Sequence, residues 1–575
     1  MILANPFPLQ NPLIVQGDHT VLAEVDNPLY PQARDALARF AELVKSPEHI
    51  HTYRLTPLSI WNACAIGETA ESITATLRGF AKYPVPQHIE ASVRDFAGRY
   101  GCLRLVRHGL DLLLCARDLP LAEELARREQ LRAFIRERFN PLEFIVPASE
   151  RGRLKHALIK LGFPTEDLAG YITGEPLVFD FALRAHTLAG LPFAPRRYQS
   201  EAADLFHAGG EARGGSGVVV LPCGAGKTIV GAVCMSLLRA STLILATSVT
   251  AARQWKQELL DKTTVPADAI GQYNGDSKEI RPVTIATYQI LTHRSSKQSE
   301  FTHFKIFDER NWGLIIYDEV HLLPAPVFQV TASLQARRRL GLTATLVRED
   351  GREDEVFALI GPKKYDVPWK EMEKQGWIAK AICTEIRLPM SEARRMEYAI
   401  AEPRQKFRVA SENPEKLRIV RELLERHRDD PVLIIGTYLD QIDGFAQELN
   451  LPLLKGSTPQ NLRDEVYERF RSGQINRLVV SKIANFSVDL PDAAVAIQVS
   501  GMFGSRQEEA QRLGRILRPK PGENQAYFYS VVSRDTVEQD FALNRQLFLC
   551  EQGYEYRIVS LDRPDTELPE WHVAP

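Results

Sequence analysis

Five short apolar runs, SGVVVLP, TLILATS, VTIATY, WGLIIYDE and RLGLTATL, recur between residues 216 and 346. Strands covered on both faces read as continuous apolar stretches rather than as alternating ones. Each run ends in a polar cluster and leads into a helical stretch, the pattern of a parallel doubly wound sheet. In such sheets ligands sit outside the carboxyl ends of the strands. The pattern restarts near Pro431 with PVLIIGTY, RLVVSK, AVAIQVS and QAYFYSVV. The chain is therefore expected to be an α/β protein with two tandem parallel-sheet lobes, residues 190–365 and 366–560, facing across a cleft. GPKKYDVPWKEMEKQGWIAK joins them, and a tail fills 561–575.

The first 185 residues have a different style, α+β. Thr56-Pro57 is a helix cap followed by proline at the first helical position, opening LSIWNACA. ETAESITATLRGFAK and QHIEASVRDFAGRYG predict two more helices, the second closed by Gly101. CLRLV and LDLLLCA then flank Arg107-His108-Gly109 as a hairpin. Three helices and a hairpin are the order of a winged-helix module, assigned here to 1–125, and such modules bind proteins as readily as DNA. FIVPASERGRLKHALIKLGF reads as a strand and a basic amphipathic helix in a small accessory domain, 126–185. Removal of residues 1 to about 185 is expected to leave the two lobes folded.

Composition narrows the class without deciding it. With 575 residues, 44% hydrophobic and 25% charged, the chain has the balance of a soluble protein of three or four domains. No apolar run approaches the ~20 residues of a membrane-spanning helix, and MILANPFPLQNP does not read as a secretion signal. Seven scattered cysteines without a CxxC pair fit reduced thiols in a cytoplasm rather than zinc or a disulfide frame. A net charge of −2 leaves room for a local basic groove.

Three elements carry chemistry. After the strand GVVVL, Leu221-Pro222-Cys223-Gly224-Ala225-Gly226-Lys227-Thr228 opens the helix IVGAVCMSLL. Small residues let backbone N–H groups wrap phosphates, and the helix N-terminus adds positive potential. Lys227 would reach the outer phosphates of ATP and Thr228 would bind Mg²⁺, although Leu221 stands where the strict pattern has glycine. Next, WGLIIYDEVH delivers Asp318 and Glu319 to a strand end, Asp318 for the Mg²⁺ shell and Glu319 to orient and deprotonate the attacking water. A D-E pair alone is usually a solvated turn; four buried residues before it and a phosphate loop elsewhere favour the catalytic reading. Last, in Gln511-Arg512-Leu513-Gly514-Arg515-Ile516-Leu517-Arg518, Arg515 and Arg518 share a helix face. As arginine fingers they would stabilise transition-state charge from the second lobe.

The loop ending GAGKT, then DEVH, then Thr343-Ala344-Thr345, then QRLGRILR, in that order, resembles superfamily 2 helicases with RecA-like lobes. RRYQ, LPCGAGKT, IIYDEVHLLPAP, LGLTATLVRED, SKIANFSVDLP and SRQEEAQRLGRILR narrow the resemblance to the XPB family, over most of Pro195 to Tyr556. HTYRLTPLSIWNA in the N-terminal region is similar to bacterial members. The resemblance implies that Arg196 and Gln199 recognise adenine, and that His321 and Gln511 couple the nucleotide site to the lobe interface. It implies that Thr287, Ser487 and Asp489 line the DNA path or link it to ATP, with the TAT threonines Thr343 and Thr345 in the same group. It matches Arg348-Glu349-Asp350 to a triplet associated with strand separation, and 396–416 to a thumb-like insertion carrying Arg404, Lys406 and Arg408. Before Ser487 this chain has Asn485-Phe486, where many relatives have acidic and hydroxyl groups. The family moves 3′ to 5′ on DNA and carries an N-terminal damage-recognition domain.

The expectation is thus an ATP- and Mg²⁺-dependent 3′–5′ DNA helicase of repair, cytoplasmic, working at junctions of single-stranded and duplex DNA. One alternative is a duplex translocase that remodels protein–DNA complexes or serves a nuclease partner. Another is a DNA-binding scaffold whose ATPase acts only as a switch. Lesion, repair partner and oligomeric state are left open by the sequence.

Overall fold

A computed structural model describes residues 10–45, 49–211, 214–222, 224–294, 301–335, 337–344, 353–367, 369–481, 493–501, 524–551, 554–563 and 566–569. The chain falls into two units, one of Met1–Glu42, Thr52–Leu221 and Gly226–Val367, the other of Leu43–His51, Pro222–Ala225 and Pro368–Pro575.

The first unit opens with strands Leu13–Val15 (β1) and Thr20–Glu24 (β2), an antiparallel pair, and helix Tyr30–Leu37 (α1). Next along the chain are strands Glu42–Lys45 (β3) and Ile50–Arg54 (β4), of which Leu43–His51 is counted with the second unit, and the first unit resumes at Thr52. Helix Pro57–Ala65 (α2) starts as expected: Ser59 N–H donates to Thr56 Oγ1 and Thr56 N–H to Ser59 Oγ, both at 3.1 Å, a reciprocal capping box. Helices Ala70–Phe80 (α3) and Gln87–Arg99 (α4) complete the trio, and the hairpin forms from Leu103–His108 (β5) and Asp111–Ala116 (β6).

The hairpin is not the wing of a three-helix module. Leu103 and Leu105 are buried in alternation along β5, and Leu112, Leu113 and Leu114 are buried in succession along β6. Leu103, Leu105, Leu112 and Leu114 pack on Leu121 and Leu125 of helix Leu119–Arg127 (α5) and on Leu154 and Leu158 of helix Arg151–Lys160 (α6). Both hairpin edges are also paired. Strands Glu137–Asn140 (β7), Glu143–Val146 (β8) and Thr165–Leu168 (β9) complete a five-stranded sheet in the order β7-β8-β6-β5-β9. The expected boundary at residue 125 runs through this layer, since a sheet cannot be divided without stripping its ladder.

The basic helix also departs from expectation. On α6, Arg151 and Lys155 are 2% and 6% exposed, facing inward rather than to solvent. Arg151 grips Asp167 with two donors, at 3.0 and 2.7 Å, and Lys155 Nζ donates to the same carboxylate at 2.8 Å. Burial pushes the Asp167 pKa up, but Lys155 and Arg151 outweigh it and hold the carboxyl below its ordinary value.

The rest of this unit is the first parallel sheet. Its elements are helix Arg197–His207 (α7), strand Ser216–Val220 (β10), helix Lys227–Leu238 (α8), strand Thr242–Ala246 (β11), helix Val249–Lys262 (α9) and strands Ile270–Tyr273 (β12) and Val283–Thr287 (β13). Helix Tyr288–Leu291 (α10), strand Leu314–Asp318 (β14), helix Ala325–Ser333 (α11), strand Arg338–Thr343 (β15), helix Glu353–Leu359 (α12) and strand Lys363–Asp366 (β16) follow. The order is β12-β13-β11-β14-β15-β10-β16, every pairing parallel. All five expected strands are present, with β12 and β16 added at the edges.

The accessory layer is packed into this sheet. A methyl on Gly152 of α6 would collide with the backbone of Ala332 in α11. Tyr171 lies under three guanidinium groups, Arg151, Arg339 and Arg338 at 5.3, 5.7 and 5.9 Å from its ring centre, and donates to Ser216 Oγ at 2.8 Å. Ser216 and Arg339 are cross-strand partners at the start of β10 and β15. Beyond Tyr171 the chain runs along the sheet, with Glu175 N–H donating to Asn311 O and Ser241 N–H to Glu175 O, each at 2.7 Å. Gly174 and Gly313 face each other there: a methyl on Gly174 would strike the Gly313 backbone, and one on Gly313 would lie 2.6 Å from the Thr173 carbonyl. Lobe 1 thus begins well before residue 190.

The second unit holds strands Lys380–Leu388 (β17), Val432–Gly436 (β18), Leu453–Leu454 (β19), Arg477–Ser481 (β20), Val495–Gln498 (β21), Gln525–Ser533 (β22) and Glu555–Ser560 (β23). They order β19-β20-β18-β21-β22-β17-β23, again all parallel. Within the expected thumb, helices Glu392–Ile400 and Pro403–Ser411 form a hairpin, and the first buries none of its residues. Among the described residues no helix is long and apolar enough to cross a membrane.

Candidate nucleotide site

β10 is buried along its whole length and is followed by Leu221, whose N–H donates to the Thr343 carbonyl at 3.0 Å. The loop then turns on glycines. Gly224 has φ 80° and Gly226 φ 77°, the left-handed region that side chains rarely adopt. Gly226 is the N-cap of α8, and a Cβ there would sit 2.5 Å from Gln199 Nε2. Gln199 is 4% exposed, and its Oε1 accepts the Arg196 N–H at 2.8 Å, capping α7. Both residues of the RRYQ motif therefore lie at the phosphate loop, Gln199 by contact and Arg196 through it.

The acidic strand end meets this loop. Lys227 Nζ is 3.1 Å from Glu319 Oε1. Glu319 itself is left-handed, φ 47° and ψ 57°, which turns its side chain back from the end of β14. Its Oε2 is buried, accepts no hydrogen bond among the described residues, and lies 3.5 Å from His321 Nδ1. His321 Nδ1 shares a hydrogen bond of 2.6 Å with Thr343 Oγ1, so DEVH and TAT are joined directly. Asp318 Oδ2 accepts Trp255 Nε1–H at 2.9 Å, and Oδ1 accepts the Glu319 N–H at 3.1 Å.

The two carboxyls titrate apart. Burial, then the Glu319 charge, pushes Asp318 up to about 6. Burial acts on Glu319 in the same sense, but Lys227 and His321 outweigh it and hold Glu319 below its ordinary value. One acid that stays ionised beside one that is reluctant to lose its proton is an arrangement typical of active sites.

The donors fit a magnesium nucleotide. Positive-φ glycines ahead of a helix N-terminus make an anion-binding concavity. The Asp318 carboxylate and the half-buried Thr228 hydroxyl are hard oxygen donors, the kind Mg²⁺ takes while keeping several waters.

Thr287 is 1% exposed and its Oγ1 accepts the Ile290 N–H at 3.4 Å, capping α10. Its side chain therefore faces the fold. The next residue, Tyr288, reaches the nucleotide site: its Oη donates to the Asp318 carbonyl at 2.9 Å. Trp255 and Tyr288 are the residues that sequence reasoning missed. Trp255, seven residues past Ser248 on an ordinary helix, carries no motif signal, whereas Tyr288 adjoins Thr287 in VTIATY. Cys223, Thr345, Arg348, Glu349, Asp350, Ser487, Asp489, Gln511, Arg515 and Arg518 lie outside the described residues.

Residues 372–573 match the family model described as ERCC3/RAD25/XPB C-terminal helicase, 192–348 that of the type III restriction enzyme res subunit, and 13–140 a helicase conserved C-terminal domain. The chain is 54% identical over 562 residues to the DNA 3'-5' helicase XPB of Kineococcus radiotolerans, covering 97% of this chain and 98% of that one. To the DNA 3'-5' helicase XPB of Mycobacterium tuberculosis it is 52% identical over 554 residues, covering 96% and 98%. To the general transcription and DNA repair factor IIH helicase/translocase subunit XPB of Enterocytozoon bieneusi it is 33% identical over 568 residues, covering 95% and 92%. Fold, site and matches together define a phosphate-loop protein of the tandem parallel-sheet class. The chain belongs to the XPB family of helicases.

Proposed function

We propose that this protein is an ATP-dependent DNA helicase that moves 3′ to 5′ and serves DNA repair. The observation that carries the reading is the joined set Lys227, Asp318, Glu319, His321 and Thr343, in a chain whose bacterial relatives are named DNA 3'-5' helicase XPB. In this reading Lys227 and the loop hold the phosphates of ATP, Thr228 and Asp318 hold Mg²⁺, and Glu319 takes the proton of the attacking water. Arg515 and Arg518 act from the second lobe on the γ-phosphate, with Gln511 beside them, so that nucleotide closes the lobes and hydrolysis releases them. Ser487, Asp489, Thr345 and the Arg348–Asp350 triplet belong to the DNA path.

A second reading, a duplex translocase that does not separate strands, draws support from the words helicase/translocase in the names of the eukaryotic relatives. Forked-duplex unwinding with and without ATP decides between them. Strand separation that requires ATP supports the helicase; ATP-driven displacement of a third strand from intact duplex, without unwinding, supports the translocase. Arg515→Ala should slow ATP turnover in either case, and normal turnover would refute closure of the two lobes on nucleotide.

A further inference from the structure

Side chains two residues apart on a helix point about 200° apart, so a helix can touch one neighbour with each. Gln199 of α7 meets the phosphate loop, where a methyl on Gly226 would lie 2.5 Å from its Nε2. Glu201, two residues on, meets β16 instead: Tyr365 Oη donates to Glu201 Oε2 at 3.0 Å. Arg197 Nε donates to the other carboxylate oxygen at 2.6 Å. α7 is therefore a short rod with the phosphate loop on one side and β16 on the other.

β16 is irregular at this point. Lys363 pairs with Val218, and Tyr365, rather than Lys364, with Val219, so Lys364 is an extra residue on the strand. Such bulges are rare between parallel strands and serve to re-aim a side chain. Here the bulge sets Tyr365 opposite Val219, two residues before Leu221 opens the phosphate loop. The front of the chain holds the same strand, since Lys363 N–H donates to Asn62 Oδ1 of α2 at 3.1 Å. Two residues after Tyr365 the first unit ends, at Val367.

Folding does not call for this contact. Glu201 already has Arg197 as a partner, and Tyr365 is half-buried on an edge strand, where water would serve its hydroxyl. Burial, then Glu201, pushes the Tyr365 phenol up, while Arg197, then Tyr365, hold the Glu201 carboxyl below its ordinary value. Donor and acceptor therefore keep their protonation states across the neutral range.

We propose that Tyr365 is a positioning residue for the ATPase cycle, its hydrogen bond to Glu201 carrying the state of the phosphate loop to the chain that leaves the first unit at Val367. Gln199 packs directly on Gly226, so phosphates that displace the loop displace α7. Glu201 moves with its helix, and Tyr365 follows it while Asn62 holds the strand at Lys363. β16 is then fixed at one end and pulled at the other, and its exit shifts. A hydroxyl bonded to an ionised carboxylate suits this role, because it is stronger than a neutral pair.

This inference rests on the ATPase reading of the site, and the experiment separates the two. Full-length wild type, Tyr365→Phe, Glu201→Ala and Glu201→Gln are compared. The measurements are affinity for a fluorescent non-hydrolysable ATP analogue, kcat and KM for ATP with DNA present, and hydrogen–deuterium exchange at residues 367–379 without and with the analogue. Tyr365→Phe and Glu201→Ala should keep analogue affinity within about twofold and lose roughly tenfold in kcat, with KM little changed. The change in exchange that the analogue causes at 367–379 in the wild type should be absent from both. Glu201→Gln should act like the wild type, since its amide still offers the phenol a hydrogen-bond partner. A wild-type kcat with a wild-type exchange response in Tyr365→Phe would overturn the proposal, and so would a lowered melting temperature as its only defect. A wild type that binds the analogue without any change at 367–379 would overturn it too. A wild-type chain that does not bind the analogue would refute the nucleotide site instead.

Discussion

Lys227 Nζ and Glu319 Oε1 are 3.1 Å apart, which makes the phosphate-loop cation and the acidic residue at the end of β14 partners in one ion pair. Both side chains are more than four-fifths buried. Lys227 cannot reach a phosphate without loosening its hold on Glu319, so nucleotide entry should free the carboxylate for water. Lys227→Ala should abolish hydrolysis with the fold intact, and Glu319→Gln should bind ATP while turning it over about 10²–10⁴ times more slowly. ATPase with DNA present, beside nucleotide binding by a fluorescent analogue, checks both; full activity in Lys227→Ala removes the site assignment.

Asp318 makes the site a burden on stability. With its carboxyl raised to about 6 from an ordinary 3.8, the native state holds a proton that the unfolded chain releases between those values. Native stability therefore falls as pH climbs through that window. Asp318→Asn should raise the melting temperature at pH 7.5 and lose the advantage near pH 4, while hydrolysis fails. Equal melting temperatures at pH 7.5 would show that the strain assigned to Asp318 is absent.

Asp167 holds two buried cations, Arg151 and Lys155. Asp167→Ala leaves both unpaired and should cost about 3–5 kcal/mol. Lys155→Met should cost far less, because the two-donor Arg151 grip survives and the Lys155 ammonium, brought down to about 8 mainly by burial, is itself reluctant to stay charged. Stability of the wild type should also rise from about pH 8 toward 10.5, where the unfolded chain still holds the Lys155 proton, and Lys155→Met should lack that rise. Denaturant melts of the three proteins across pH test this. The same geometry reverses the expectation for truncation: deleting residues 1 to about 185 uncovers Arg339 and the Gly313 edge, and should give aggregation rather than a trimmed ATPase.

The triplet Arg348-Glu349-Asp350 is proposed as a strand-separating wedge, whereas ordinary surface ion pairs would contribute only about 0–1 kcal/mol each. Alanine at all three positions should spare most ATP hydrolysis and cripple forked-duplex unwinding. Normal unwinding refutes the wedge; an equal loss from alanine at 352 to 354 alone moves it to the second copy of the triplet.

The tandem sheets are legible in the sequence because a strand buried on both faces must be apolar throughout, as VVV before Leu221 and LIIY before Asp318 are. β12 is not, because IGQY is four residues long at a sheet edge, nor is β17, because Lys380, Thr384, Glu385 and Arg387 break the apolar run of KAICTEIRL. The site is legible where one local segment carries the chemistry, as in GAGKT and DEVH. Trp255 and Tyr288 are hidden, because each acts through a hydrogen bond to Asp318 from 63 and 30 residues away. The basic face of α6 misleads for a related reason: a buried lysine and a solvated one are identical letters, and only the placement of Asp167 distinguishes them.

Gly174 and Gly313 meet backbone to backbone, and that meeting bears on how chains of this kind can recombine. Neither position tolerates a side chain while the other stays in place, although 139 residues separate them. A chimera that takes its N-terminal third from one relative and its sheets from another inherits the two halves of this junction from different parents. It should assemble only when the parent of the front supplies glycine at 174 and the parent of the sheets supplies glycine at 313, so the front of this chain is not a freely exchangeable cassette.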